Sequence, residues 1–137
     1  MSAYQYLVLR CVPRIEREEF LNVGVVLFCE AVDFLDCASR VDDARLLALD
    51  AELDVAGVRR ALAGVAEVCR GGGRLDLAVG SRATAYGTRE AADTRGTRFG
   101  LLRAPRSTVV QPGPVHGGTT EDPAAELTRL LAAYVYP

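Results

Sequence analysis

No lysine occurs in this 137-residue chain; all 16 basic side chains are arginine. That removes lysine Schiff bases and lysine general bases from the available chemistry. Histidine is nearly absent as well. His116 stands alone, so a catalytic metal site built on clustered imidazoles has no ligands to draw on. The four cysteines, Cys11, Cys29, Cys37 and Cys69, contain no C-x-x-C pair, and three of them sit in apolar runs. This argues against a zinc site and for buried, reduced thiols of a cytosolic protein, although a Cys11–Cys29 disulfide between neighbouring strands is open. An excess of positive charge is also missing. Sixteen arginines against 18 acidic residues give a formal net charge of -2, which disfavours nucleic acid and anionic membranes as partners. The N-terminus lacks a basic region before its apolar run and lacks a cleavage site, so no signal peptide is expected. The longest apolar run, Val23 to Cys29, is too short to cross a bilayer. A cytoplasmic location is therefore expected. No internal repeat and no linker between domains is visible.

What is present reads as one domain, α+β in class: a mainly antiparallel sheet with helices packed on one face. Tyr4 to Val12 is aromatic and β-branched and predicts a first strand, with Leu7, Leu9 and Cys11 on one face and Tyr6, Val8, Arg10 and Val12 on the other. Arg10 thus shares an apolar face, either reaching solvent at the strand end or lying buried with a partner. Arg14 to Glu19 is a charged connection with room for one helical turn. Asn22 to Glu30 predicts a central strand covered on both faces, and Gly24 within it marks a bulge or a close backbone approach. Phe34 to Ala38 completes a three-stranded meander. Asp42 and Asp43 cap a short helix to about Leu49, and Asp54 caps a longer one carrying Val55, Val58, Leu62, Val65 and Cys69 at helical spacing. Gly71-Gly72-Gly73 follows that helix and no Lys-Ser/Thr follows the glycines, so they read as a stop and not as a phosphate cradle. Leu75 to Val79 predicts a short strand, and 80–96 a flexible loop with a helical turn near Glu90. Thr97 to Arg103 and Ser107 to Gln111 predict two further strands. Asp122-Pro123 opens the last helix, striped by Leu127, Leu130, Leu131, Tyr134 and Val135.

Polar groups crowd two places. One is the first connection, where Arg10, Arg17, Glu19 and Asn22 gather; an Arg10–Glu19 pair could lock the turn, or the four could bind a ligand. The other is Ala104 to Asp122, a proline-framed stretch with Arg106, Ser107, Thr108, Gln111 and His116. A guanidinium beside two hydroxyls and local N–H groups suits phosphate or carboxylate, while a plain strand start explains Thr108 to Val110 equally well. His116 could serve as a general acid or base with Glu19 or Asp122 as its orienter, or be a hydrogen-bonded loop residue. Ser107 lacks a nucleophile-elbow context. No metal or cofactor is implied.

The blocks YLVLRCVP (Tyr6 to Pro13) leading into EFLNVGVVLF (Glu19 to Phe28), and APRSTVVQPGPVH (Ala104 to His116), together resemble a family of small bacterial proteins called domain of unknown function 3037. The likeness spans nearly the whole chain. It departs at Glu18, where the family pattern has glycine, and at Leu101-Leu102-Arg103, where it has an aromatic residue. The resemblance implies a context beside kinases similar to the HipA toxin kinase. Three functions follow as expectations: a non-catalytic, antitoxin-like binding partner of such a kinase; a small enzyme or ligand-binding protein for a phosphorylated or carboxylated metabolite, using Arg10, Glu19, Arg106 and His116; and, disfavoured by charge, a nucleic-acid binder. The first two separate on whether the two polar blocks converge in one pocket.

Overall fold

The computed structural model describes residues 1–71 and 93–137. The expected strand at Leu75 to Val79 and most of the expected flexible loop lie outside the described residues. Among the described residues, five antiparallel strands form one sheet: β1 (Ser2–Cys11), β2 (Leu21–Cys29), β3 (Phe34–Ser39), β4 (Val110–Pro112) and β5 (His116–Thr120). Four helices accompany it among the described residues: α1 (Asp43–Leu49), α2 (Val55–Arg70), α3 (Arg95–Arg103) and α4 (Pro123–Tyr134). The α+β class with an antiparallel sheet is thus established.

β1, β2 and β3 form the expected meander, with a 3-10 turn at Ile15–Arg17 and another at Glu30–Val32. The sheet runs β3-β2-β1, and β4 and β5 share the outer edge of β1, opposite Leu9–Cys11 and Ser2–Tyr6 respectively. Pro112 and Pro114 fit there because an edge strand can spare ladder N–H groups. Pairing of Leu9 with Gly24 and of Arg10 with Asn22 leaves Val23 as an extra residue in β2. The adjacent glycine is obligatory for another reason: a Cβ on Gly24 would lie 2.9 Å from the Ala38 carbonyl oxygen. The expectation of a bulge or a close approach is met by both.

The sheet is covered twice. On one face Leu7, Leu9, Cys11, Val23 and Val26 pack against Leu46 of α1, Val58, Leu62, Val65 and Cys69 of α2, and Phe99 and Leu102 of α3. On the other, Tyr4, Tyr6, Val25, Leu27 and Cys29 pack against Leu127, Leu130 and Val135. The helices are therefore split between the faces, where a single helical face was expected; the apolar stripe of α4 had to bury somewhere, and the aromatic face of β1 was the free surface. Helix ends follow the sequence signals. Asp42, Asp54 and Asp122 accept N–H bonds as N-caps, Pro123 opens α4, and Gly71 ends α2 at φ +81°, a backbone region natural only to glycine.

Two segments depart from expectation. Thr97 to Arg103, expected as a strand, belongs to α3. Thr94 and Thr97 form a reciprocal capping box ahead of it, and Phe99 and Leu102, three apart, are its buried residues, so local capping and i,i+3 burial override the strand-like alternation. Thr94 to Gly96 thereby leave the expected loop. The strand expected at Ser107 to Gln111 begins later, at Val110, because the Thr108 hydroxyl donates to the Val110 carbonyl at 2.7 Å and holds a local turn. His116 to Thr120, for which the sequence predicts no strand, pairs with β1 as β5. Its glycines are poor strand formers, yet Gly118 lies under the Tyr4 ring, where a Cβ would come within 2.7 Å.

Candidate functional site

The polar residues of the two blocks meet partly, and on the α4 face of the sheet. Arg10 sits between Asn22 of β2 and Gln111 of β4 in register, a polar row on an otherwise apolar surface. The Arg10 guanidinium stacks over the Phe20 ring at 4.2 Å. Its Nε is buried without a hydrogen-bond partner, and it has no carboxylate partner among the described residues. Gly113 lets it lie flat, since a Cβ there would be 3.2 Å from Nε. Asn22 donates from Nδ2 to the Tyr134 carbonyl at 3.0 Å and Arg45 donates to the Val135 carbonyl at 3.4 Å. Both thereby satisfy carbonyls left open at the end of α4. Arg40, at the end of β3, stacks on Tyr136 at 4.9 Å. Phe20, Asn22, Arg45, Tyr134 and Tyr136 line a recess of about 150 Å³. Phe20, Tyr134 and Tyr136 are 45%, 45% and 50% exposed.

Two rows along β1, His116 pairs with Tyr6, ring to ring at 5.4 Å, and Tyr6 stacks on Tyr134 with their hydroxyls 3.3 Å apart. The bond to Tyr134, with burial second, pushes the Tyr6 phenol up to about 12. His116 itself is exposed. Neither expected orienter is free to serve it: Glu19 is bonded to Arg17 at 2.7 Å, and Asp122 caps α4. The Arg17–Glu19 pair is also the ion pair that forms in place of Arg10–Glu19. It is surface-exposed and screened, and worth little to stability.

Arg106 and Thr108 lie on the opposite face. They line a groove of about 680 Å³ between α2, the end of α3 and β4, floored by Leu9, Val58, Val65, Leu102 and Val110. Asp50, Glu52 and Asp54 stand on its rim, with Asp54 paired to Arg60 at 3.3 Å. Arg106 donates to the Leu101 carbonyl at 2.6 Å, and burial lowers its guanidinium from the ordinary value. Ser107 is exposed and does not line the groove. The nine residues singled out in the sequence therefore divide. Arg10, Asn22 and Gln111 are neighbours, with His116 further along the same face; Arg106 and Thr108 face elsewhere; Arg17 and Glu19 engage each other in the connection. Phe20, Arg40, Arg45 and Tyr136 escaped the sequence reading. They come from separate elements, and only the aromatic pair flanking Val135 left any local signal.

Among the described residues no group of three or more His, Cys, Asp or Glu could hold a metal ion, and no helix is long and apolar enough to cross a membrane. The chain belongs to the family described as Protein of unknown function (DUF3037), whose model matches residues 6–135, nearly its whole length. No curated protein and no solved structure matches it.

Proposed function

We propose that this protein is a non-catalytic binding domain that docks a protein partner on its aromatic–arginine end. The observation that carries the reading is the composition of that end: Phe20, Tyr134 and Tyr136 exposed, with Arg10 and Arg40 stacked on two of the rings. Tyrosine and arginine dominate binding hot spots because they bury much area and keep a polar handle. Arg10 has no counter-charge among its neighbours, so the complementary partner surface is acidic. The enzyme reading needed Arg106 and His116 in one pocket, and they stand on opposite faces of the sheet. The resemblance to the family implies a context beside HipA-like kinases, so the proposed partner is such a kinase, with this chain in an accessory, antitoxin-like role.

The test is titration of the purified chain into a HipA-like kinase, the partner proposed here from the resemblance. Micromolar or tighter association is expected, with Phe20→Ala and Tyr136→Ala each weakening it about tenfold or more while Tm stays near that of the parent. No complex at micromolar concentration, or a complex indifferent to both changes, refutes the reading. The groove around Arg106 supports a second reading, a ligand with a carboxylate or phosphate, because a desolvated guanidinium strengthens anion pairing. Loss of phosphate or acetate shifts on Arg106→Lys, in spectra of the isotope-labelled chain, tests it.

A further inference from the structure

The core accounts for the thiols of the first two strands. Cys11 packs with Leu7 and Leu9, and Cys29 packs with Tyr4 and Tyr6 on the other face of the sheet. The disulfide left open by sequence therefore has no path between them. Three guanidiniums at the Phe20–Tyr136 end have no such account. They arrive from three places in the chain: Arg10 from β1, Arg40 from just after β3, and Arg45 from α1. Strand pairing brings the first two together. Arg10 stands opposite Asn22 of β2, and the Arg40 N–H donates to the carbonyl of the next residue, Val23, at 2.9 Å. Arg10 and Arg40 thus flank one point of β2 from its two neighbours, two strand spacings or roughly 10 Å apart at the backbone.

Arg45 meets the same place through the end of α4. It bonds the Val135 carbonyl at 3.4 Å, next to the Tyr134 carbonyl that Asn22 bonds at 3.0 Å, and both side chains line the recess. Two other lining residues, Phe20 and Tyr136, carry the remaining guanidiniums, Arg10 at 4.2 Å and Arg40 at 4.9 Å from the ring centres. Positive charge here is poorly matched. Among the described residues the only carboxylate paired with any of the three is that of Asp42, 3.7 Å from Arg40. Acidic neighbours in sequence are engaged elsewhere: Glu19 with Arg17 and Asp43 with Arg59. Arg10 Nε and Arg40 Nη1 are buried without a hydrogen-bond partner. A charged donor desolvated in this way costs free energy that a bound anion offsets. Ring stacking does not use up the donors, because it occupies the flat face of a guanidinium and the N–H groups lie in its plane.

We infer that the recess between Phe20 and Tyr136 binds a phosphate monoester, carried by the docked partner as a phosphorylated side chain. The inference rests on the docking role proposed for this end and names the group that is docked. Size selects a single group: about 150 Å³ is well below the roughly 300–1,000 Å³ of sites that enclose a whole small molecule. Charge and valence select phosphate. Three guanidiniums against one carboxylate leave two positive charges uncompensated. A phosphate monoester brings close to two negative charges and three acceptor oxygens, enough for donors from three directions. A carboxylate brings one charge and two oxygens, and leaves one arginine unmatched.

The experiment titrates the isotope-labelled full chain at constant ionic strength with N-acetyl-O-phosphoserine amide, its unphosphorylated counterpart, inorganic phosphate and acetate. The Nε–H signals of Arg10, Arg40 and Arg45 and the side-chain amide of Asn22 are followed by NMR. Saturable shifts of these signals are expected with the phosphoserine compound, weaker binding with inorganic phosphate, and none with the unphosphorylated compound. Arg40→Gln and Arg45→Gln are each expected to weaken binding about tenfold or more, the loss of one charge-assisted bond. Absence of saturable shifts, an equal response to acetate, shifts centred on Arg106, or affinity unchanged in both variants overturns the inference. Tighter binding of inorganic phosphate than of the monoester assigns the recess to the free ion and overturns the partner-borne group. The parent titration decides the matter even if a variant folds poorly. It also needs no partner: a kinase complex without phosphate shifts overturns this inference alone, whereas phosphate shifts without a kinase complex overturn the docking role and leave the recess a phosphate site.

Discussion

Glu18→Gly tests whether the left-handed backbone at the first connection is strained by its side chain. Glu18 closes the 3-10 turn of the first connection at φ 55°, ψ 18°, in the left-handed region. A side chain with Cβ pays about 1–2 kcal/mol there, and glycine returns about 0.5–1 kcal/mol of that through its greater freedom in the unfolded chain. Glu18 has nothing else to lose. It is exposed, it makes no side-chain hydrogen bond or ion pair among the described residues, and its N–H bond to the Ile15 carbonyl at 3.2 Å is a backbone bond that glycine keeps. A net gain of about 0.5–1 kcal/mol follows, or about 2–4 °C in Tm for a domain of this size. Asp33 supplies the control. Its φ is 53°, but an aspartate tolerates this region better, and its carboxylate holds Arg95 at 2.7 Å. Asp33→Gly should therefore change stability little. Differential scanning calorimetry of both variants against the parent decides the matter: a Glu18→Gly protein less stable than the parent, or no more stable than Asp33→Gly, refutes the backbone reasoning.

Two further outcomes are expected from the fold itself. Bonds from Arg129 and then from Tyr4 hold the Glu126 carboxyl at about 2, below the ordinary 4.5. A carboxyl depressed on folding stabilises the native state above pH 4.5 and loses that contribution as pH falls towards 2. Because Arg129 is solvent-exposed, about 1–2 kcal/mol is expected; Glu126→Gln should lower stability by that amount at neutral pH and flatten its acid dependence, measured by urea unfolding across pH. Gly24→Ala drives a Cβ against the Ala38 carbonyl between two paired strands and should cost about 2–3 kcal/mol in the same assay; an effect below about 0.5 kcal/mol would mean the strands can separate there freely.

Much of the fold was legible because local and global signals agree. Alternation in β1, the unbroken apolar run of β2, and the Asp caps of α1, α2 and α4 each point to the element that forms. The signal fails where tertiary pairing decides. His116-Gly-Gly-Thr-Thr120 carries no strand signature of its own and becomes a strand because the edge of β1 lies open beside it. Thr97 to Arg103 alternates like a strand, and a two-threonine capping box turns it into a helix. The proximity of Arg10, Asn22 and Gln111 follows from the meander and the β1–β4 register, so the sequence could name the residues without placing them side by side.

The division of the polar residues between two faces narrows what the protein can be. Arg106 and His116 lie only ten positions apart, but the chain between them forms β4 and then β5 along one sheet edge, and alternation along that edge sends successive side chains to opposite faces. Val110 and Val115 pack with the α2 cluster while Gln111 and His116 face α4. No rotamer change brings Arg106 and His116 to one reacting atom; only dismantling the β1 edge would. The recess around Phe20 and the groove around Arg106 are separate surfaces on the two faces of the sheet. Their separation predicts that variants at Phe20 and at Arg106 act additively, as distant sites do, so coupling between them beyond about 0.5 kcal/mol in a double-mutant cycle would contradict this division.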